Sequence, residues 1–197
     1  LDDHIVLGAT DVAVSSGGIL VANSAFDKAS QFNGVIELAE EGSVITSTGN
    51  RGVLTMEGIF SGGALVGNGR TLYLYVNTPD HTYTGSTELR QGQLRLADQG
   101  ALSTTSVIRL FDLPDHEAGE LLLDNQQISL SDRVADSVPV EFYGGTLGYT
   151  SGTNEVLGTV RFVEGSSYIE QYSNTVPSTI TINSLERSPG ATALVHV

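Results

Sequence analysis

The sequence predicts an all-β solenoid, a parallel β-helix in which short strands wind into coils stacked along one axis. Three observations point there. Between Gly58 and Leu110, brief alternating apolar runs are each broken by glycine, and none is long enough for a helix. A glycine followed by apolar residues at alternate positions recurs at Gly18, Gly34, Gly52, Gly92, Gly119 and Gly145. The spacing of these units, about 16 to 27 residues with one strand unit per copy, is that of a solenoid rather than a sandwich.

Taken in order, residues 1–57 offer strands at Ile5–Leu7, Val12–Val14, Gly18–Ala22, Gly34–Leu38, Ser43–Thr46 and Gly52–Met56. Turn residues separate them, as in Ser15-Ser16-Gly17-Gly18, Asn33-Gly34, Glu41-Gly42 and Gly49-Asn50. Ala25 to Phe32 is the one stretch that could make a helical turn. Past Leu110, Asp112-Leu113-Pro114-Asp115-His116-Glu117 reads as an acidic loop. Strands are then expected at Glu120–Leu123, Ile128–Leu130, Val138–Phe142, Thr146–Tyr149, Gly158–Val163, Ser167–Gln171, Ser178–Ile182 and in the last five residues. Pro139 and Pro177 fall at strand starts, where a missing N–H is tolerated. No linker interrupts the pattern, so residues 1–197 read as one domain. At roughly 20–25 residues per rung the chain would supply eight or nine rungs, a rod of ~40 Å. Both ends still alternate, which suggests a segment excised or processed from a longer chain, with edges open to neighbouring segments or copies of itself.

The composition narrows the function. The formal charge is −14, from 23 acidic against 9 basic residues, and Lys28 is the single lysine. Such a chain has no basic footprint for nucleic acid or for an anionic membrane surface. With no cysteine, disulfides and thiolate metal sites are excluded. No apolar run approaches the ~20 residues of a membrane helix, so membrane insertion by this chain is not expected.

The pieces of the central stretch form a known order. Gly58, Ser61-Gly62, Leu65, Gly67 and Gly69 are followed by Thr71-Leu72 with Leu74, Asn77-Thr78 and Tyr83-Thr84-Gly85-Ser86-Thr87. Leu94, Leu96, Gly100-Ala101-Leu102 and Ser106-Val107 complete it. This string resembles the autotransporter-associated β-strand repeat of bacterial passenger domains and giant secreted surface proteins. Arg133-Val134-Ala135-Asp136, Gly144-Gly145-Thr146-Leu147, Glu155-Val156-Leu157-Gly158 and Leu185-Glu186-Arg187 with Gly190-Ala191 extend the likeness more loosely. Pro79-Asp80-His81-Thr82 departs from it, as an insertion expected to form an outward loop. The resemblance implies a right-handed parallel β-helix outside the cell, acting as a stalk or adhesive surface, with no catalytic residues to carry over.

The residues themselves support little chemistry. His4, His81, His116 and His196 lie in expected loops or at the ends, without metal-ligand spacing. Asp112, Asp115 and Glu117 lack the spacing of a calcium loop and read as a plain acidic loop. Arg109 near Asp112 is the nearest local candidate for carboxylate chemistry on a polysaccharide, and reads better as a surface ion pair. No cofactor or metal is expected. Tyr73, Tyr75, Tyr143, Tyr149, Tyr168 and Tyr172 recur along the chain and could present rings to surface glycans or host proteins. The expectation is a non-catalytic structural or adhesive segment of an extracellular bacterial β-solenoid, capable of joining end to end. The alternatives are a polysaccharide-acting β-helix enzyme or a carbohydrate-binding module.

Overall fold

The computed structural model describes residues 6–7, 12–14, 19–21, 30–39, 43–46, 52–56, 59–114, 117–172 and 175–196, and no helix occurs among them. The strands are β1 (Val6–Leu7), β2 (Val12–Val14), β3 (Ile19–Val21), β4 (Ser30–Phe32), β5 (Val35–Leu38) and β6 (Ser43–Thr46). They continue as β7 (Gly52–Met56), β8 (Ile59–Gly62), β9 (Leu65–Val76), β10 (Thr87–Leu96), β11 (Ile108–Phe111) and β12 (Gly119–Leu123). The last six are β13 (Val140–Tyr143), β14 (Thr146–Tyr149), β15 (Asn154–Glu164), β16 (Ser166–Gln171), β17 (Thr179–Arg187) and β18 (Thr192–His196).

All these strands pair in parallel, and each with a strand of the coil before or after it. The result is a β-solenoid with three faces. The first face runs through β1, β4, β7, the C-terminal halves of β9 and β10, then β12, β14, β16 and β18. A second face holds β2, β5 and β8. It continues through Thr82 and Thr84, whose N–H groups donate to the Phe60 and Gly62 carbonyls, then through a Leu102–Val134 bridge. The third face contains β3, β6, the N-terminal halves of β9 and β10, β11, β13 and the C-terminal halves of β15 and β17.

Parallel pairing in register sets each residue over its counterpart one coil away. Leu74, Leu94, Leu121, Leu147, Ile169 and Val195 hold one such position, so a coil there takes 20 to 27 residues. The first five are buried, as are Leu89, Leu110, Phe142 and Phe162 in a corresponding column of the third face. Each such side chain contributes on the order of 1.5–3 kcal/mol by leaving water. Phe142 and Phe162 pack with ring centroids 5.0 Å apart and planes tilted by 31°. Leu185 and Val195 occupy inward positions of the last strands yet are 63% and 60% exposed, since no described strand lies over β17 or β18.

The glycine motifs find physical reasons here. Tyr83 of Tyr83-Thr84-Gly85-Ser86-Thr87 turns inward, fully buried, and its hydroxyl meets Thr87 Oγ1 at 2.6 Å. Thr87 in turn lies 3.0 Å from Thr105 Oγ1, which donates to the Gly85 carbonyl. A Cβ on Gly85 would come within 2.7 Å of the Gly63 backbone, and one on Gly119 within 1.8 Å of the Leu89 carbonyl oxygen. At these corners consecutive coils touch backbone to backbone.

Several expectations are corrected. The first two glycine-led units place Ile19 in β3 and Ile36 in β5, on different faces, so the shortest intervals measure passage around a coil rather than a whole coil. Ser30–Phe32 is strand rather than helical turn, because Phe32 is buried and the ladder pairs it with Leu7 and Met56. Ile128–Leu130 is not a strand, since side chains take its backbone groups: Arg133 the Ile128 carbonyl, and Asn125 both the N–H and the carbonyl of Leu130. The expected outward loop at Pro79–Thr82 is outward only at Pro79, Asp80 and Thr82; His81 is 2% exposed, and its Nδ1 accepts from the Phe60 N–H at 2.9 Å.

On the outer side of the third face, register builds an ion ladder. Glu88, Arg109, Glu141, Arg161 and Glu186 stand opposite one another on successive strands. Arg109 bridges Glu88 at 3.2 Å and Glu141 at 3.0 Å, and Arg161 bridges Glu141 at 3.1 Å and Glu186 at 2.8 Å. Exposed pairs are each worth ~0.2–1 kcal/mol, but here each arginine also separates two carboxylates that would otherwise repel. Arg109→Ala should therefore destabilise by about 1 kcal/mol at low salt, with the difference from the native protein shrinking in about 1 M NaCl, as urea titrations would show. Gly119→Ala should cost about 3 kcal/mol or more, read as a lower denaturant midpoint, because backbone rather than a yielding side chain blocks the added carbon.

Candidate functional site

The outer side of the first face carries two columns fixed by the same register. One contains Tyr73, Gln93, Glu120, Thr146 and Tyr168; the other Tyr75, Arg95, Leu122, Gly148 and Glu170. At ~4.8 Å per rung, Tyr73 and Tyr168 stand roughly 20 Å apart.

Neighbouring rungs lock these side chains together. Gln93 Nε2 donates to Glu120 Oε2 at 2.9 Å. Arg95 lies 4.9 Å above the Tyr75 ring and pairs with the buried Asp124, with Nε at 2.6 Å. Tyr172, just beyond β16, covers Gly148 so closely that a Cβ there would meet its ring at 2.5 Å and Glu120 Oε1 at 2.6 Å. Burial raises the Glu120 carboxyl above the ordinary range, Gln93 and Tyr172 pull it back in part, and the Glu170 charge raises it further. Burial, then the Glu120 and Glu170 carboxylates, hold the Tyr172 hydroxyl protonated well beyond its ordinary range.

Between Tyr73, Gln93, Glu120 and Thr146 lies a depression of about 240 Å³, with Gly92, Glu117 and Ala118 completing its lining. It offers an aromatic ring, an amide, carboxyl groups and a hydroxyl, a set suited to holding a polar ligand against a flat surface.

Of the six tyrosines singled out in the sequence, Tyr73, Tyr75, Tyr168 and Tyr172 gather on this face. Tyr149 does not: it is 4% exposed, in the inward column of Val76, Leu96 and Leu123. Tyr143 belongs to the third face, where its ring stacks on Phe111 at 4.8 Å. Arg109 pairs with Glu88 and Glu141 instead of Asp112. His196 lies on β18; His4, Asp115 and His116 fall outside the described residues, and among those described no cluster of His, Asp and Glu is placed to hold a metal. Sequence reasoning passed over Gln93, Arg95, Glu120 and Asp124. The signal for the first two was present in Gly92-Gln93-Leu94-Arg95-Leu96, where alternation sends Gln93 and Arg95 outward once the leucines are inside.

The face is anchored from within by Arg133, which is fully buried. Its guanidinium donates to Asn125 Oδ1 at 2.6 Å and to the carbonyls of Gly100 at 2.7 Å, Asp124 at 2.7 Å, Ile128 at 2.9 Å and Asp98 at 3.2 Å. It thereby closes the turn after β12 and fixes Asp124, the partner of Arg95. Glu155, also fully buried, accepts the N–H groups of Arg133 at 3.1 Å and Val134 at 2.9 Å, and burial lifts its carboxyl to about 7. His81 is driven the other way, to about 4, by burial, with Asp80 and the Thr78 main chain opposing in part.

Compared with protein-family models, curated proteins and solved structures, the chain matches none.

Arg133→Met should cost about 3–5 kcal/mol, because it strips buried carbonyls and Asn125 of their donor. The two buried titrating groups should show opposite pH dependence. Glu155, with a folded value of about 7 against 4.5, gives a contribution complete below pH 4.5 and lost as pH rises through about 7. His81, about 4 against 6.5, gives one complete above pH 6.5 and lost as pH falls through about 4. In urea titrations, the stability of the native protein relative to Glu155→Gln should fall, by on the order of 2 kcal/mol, from the acid to the alkaline end of that window. Relative to His81→Phe it should fall in the acid direction instead.

Proposed function

We propose that this chain is a non-catalytic structural and adhesive segment of an extracellular bacterial surface protein: a right-handed β-solenoid of eight or nine rungs that acts as a stiff spacer and displays its outer faces. The observation that carries this reading is the uninterrupted parallel ladder, in which strand after strand of the first face repeats one inward column from Leu74 to Ile169. Such a stack stiffens through hydrogen bonds directed along its axis, and the ion ladder of the third face reinforces it from outside. The resemblance of residues 58–107 to autotransporter-associated repeats supports an extracellular setting, and the charge of −14 would keep such a surface in solution. Leu185 and Val195, inward in register yet exposed on β17 and β18, support pairing of that edge with a further parallel coil, from a neighbouring segment or from another copy.

Two measurements test this together. Electron microscopy of the purified chain across micromolar concentrations should show rods that lengthen by joining end to end, and strictly single, compact particles at every concentration would count against axial assembly. Incubation with a panel of acidic and neutral polysaccharides should give no new reducing ends and no unsaturated product. Turnover that disappears in Glu120→Gln would replace the structural reading with a catalytic one centred on Glu117 and Glu120.

A further inference from the structure

We propose that the outer side of the first face is a binding groove for a neutral polysaccharide, which lies along the solenoid axis from Tyr73 past Gln93, Glu120 and Thr146 to Tyr168. This names a ligand class for the surface displayed by the rod and rests on the adhesive reading above.

The geometry points to a polymer. The five side chains stand on consecutive rungs of one column, so polar contacts repeat at the strand spacing of ~4.8 Å, and a ring stands at either end. A repeating chain of hydroxylated rings can meet such a column residue by residue, with its C–H faces on tyrosine and its hydroxyls on amide, carboxyl and hydroxyl groups. The depression beside Tyr73 provides concave room within this line, about 240 Å³. The surface is also ordered before any ligand arrives: Gln93 is bonded to Glu120 at 2.9 Å, and Tyr172 is seated on Gly148. A groove already held in place loses little conformational freedom on binding.

The chemistry selects a neutral ligand. Glu117, Glu120 and Glu170 all lie in or beside the groove, and the chain carries −14 overall, so an anionic glycan would be repelled. The nearby guanidinium of Arg95 is engaged by Asp124 and Tyr75. A protein partner fits less well, because an interface of that kind centres on an apolar patch, and between Tyr73 and Tyr168 this column presents amide, carboxyl and hydroxyl groups.

Affinity electrophoresis of the intact chain through gels holding glucomannan, xyloglucan or dextran, with polygalacturonate and chitosan as charged comparisons, tests the proposal. At least one neutral polymer should retard the native protein. Tyr73→Ala, Gln93→Ala and Tyr168→Ala should each weaken that retardation by about tenfold, whereas Tyr143→Ala, on the third face, should leave it unchanged. Tyr73→Phe, which keeps the ring, should retain most of the binding, and thermal melts should show that the variants remain folded. Failure of every neutral polymer to bind would overturn the proposal, as would equal retardation of the native protein and the column variants. Retardation by chitosan alone, abolished by salt, would also overturn it, by showing adsorption to acidic charge. Any of these outcomes leaves the rod intact in electron micrographs, so losing the groove is distinguishable from losing the structural reading.

Discussion

The structure depends on one constraint: parallel strands laid in register, coil on coil, so that each residue sits directly over its counterpart. A column must therefore be chemically self-compatible along its length. Inside, leucine, isoleucine, valine and phenylalanine satisfy this by stacking like on like, from Leu74 to Ile169 and from Leu89 to Phe162. Outside, like charges one rung apart would repel, and the third face avoids this by alternating glutamate with arginine from Glu88 to Glu186. Eight arginines and a single lysine are the whole basic complement of the chain, and two of them are spent in this ladder. A planar fork with several donors can bridge carboxylates above and below, which a point-charged ammonium does less well.

The same constraint explains where polar groups are buried. A long connection such as that between β12 and β13 cannot pair its backbone with a neighbouring coil along its whole length, so its carbonyls need other donors. Arg133 supplies them to Asp124 and Ile128 of this connection, and with the same guanidinium holds Asn125 and the Asp98 and Gly100 carbonyls of the preceding coil, while Glu155 answers its main-chain N–H. The hydroxyl chain Tyr83–Thr87–Thr105 does similar work at a corner where Gly85 must pass close over Gly63. In both places a polar cluster replaces ladder hydrogen bonds where the coil turns, and both fall in sequence pieces that a glycine pattern alone leaves unexplained.

Much of the fold was legible because alternation and glycine punctuation are local properties. Val12–Val14, Ser43–Thr46, Gly52–Met56 and Thr146–Tyr149 emerge with the expected bounds. Register is not local, and the errors follow from that. Ser30–Phe32 becomes a strand through pairing with β1 and β7, and Ile128–Leu130 ceases to be one through capture by Arg133 and Asn125. Tyrosines could be counted but not assigned to faces. Tyr149 shares the inward phase of Leu147, which the spacing could have revealed, while the separation of Tyr143 from Tyr168 requires knowing which strand stacks on which. Glu120 and Asp124 become meaningful only when Gln93 and Arg95 arrive from the preceding coil, 27 and 29 residues earlier.

The two outer faces use register to opposite ends. On the third face each ladder charge finds its complement on the neighbouring rung, so the hydrogen-bonding capacity of the side chains is largely consumed within the protein. On the first face the column Tyr73–Gln93–Glu120–Thr146–Tyr168 places unlike groups in succession, and the hydrogen bond from Gln93 to Glu120 joins an amide to a carboxyl and orients both. The Gln93 amide retains its carbonyl oxygen and Thr146 its hydroxyl, so this column keeps polar groups and tyrosine rings in succession at a fixed spacing. Rigidity and residual valence thus come from the same stacking rule, and the difference between a face that holds the rod together and one that can hold something else lies in which residues the rule repeats.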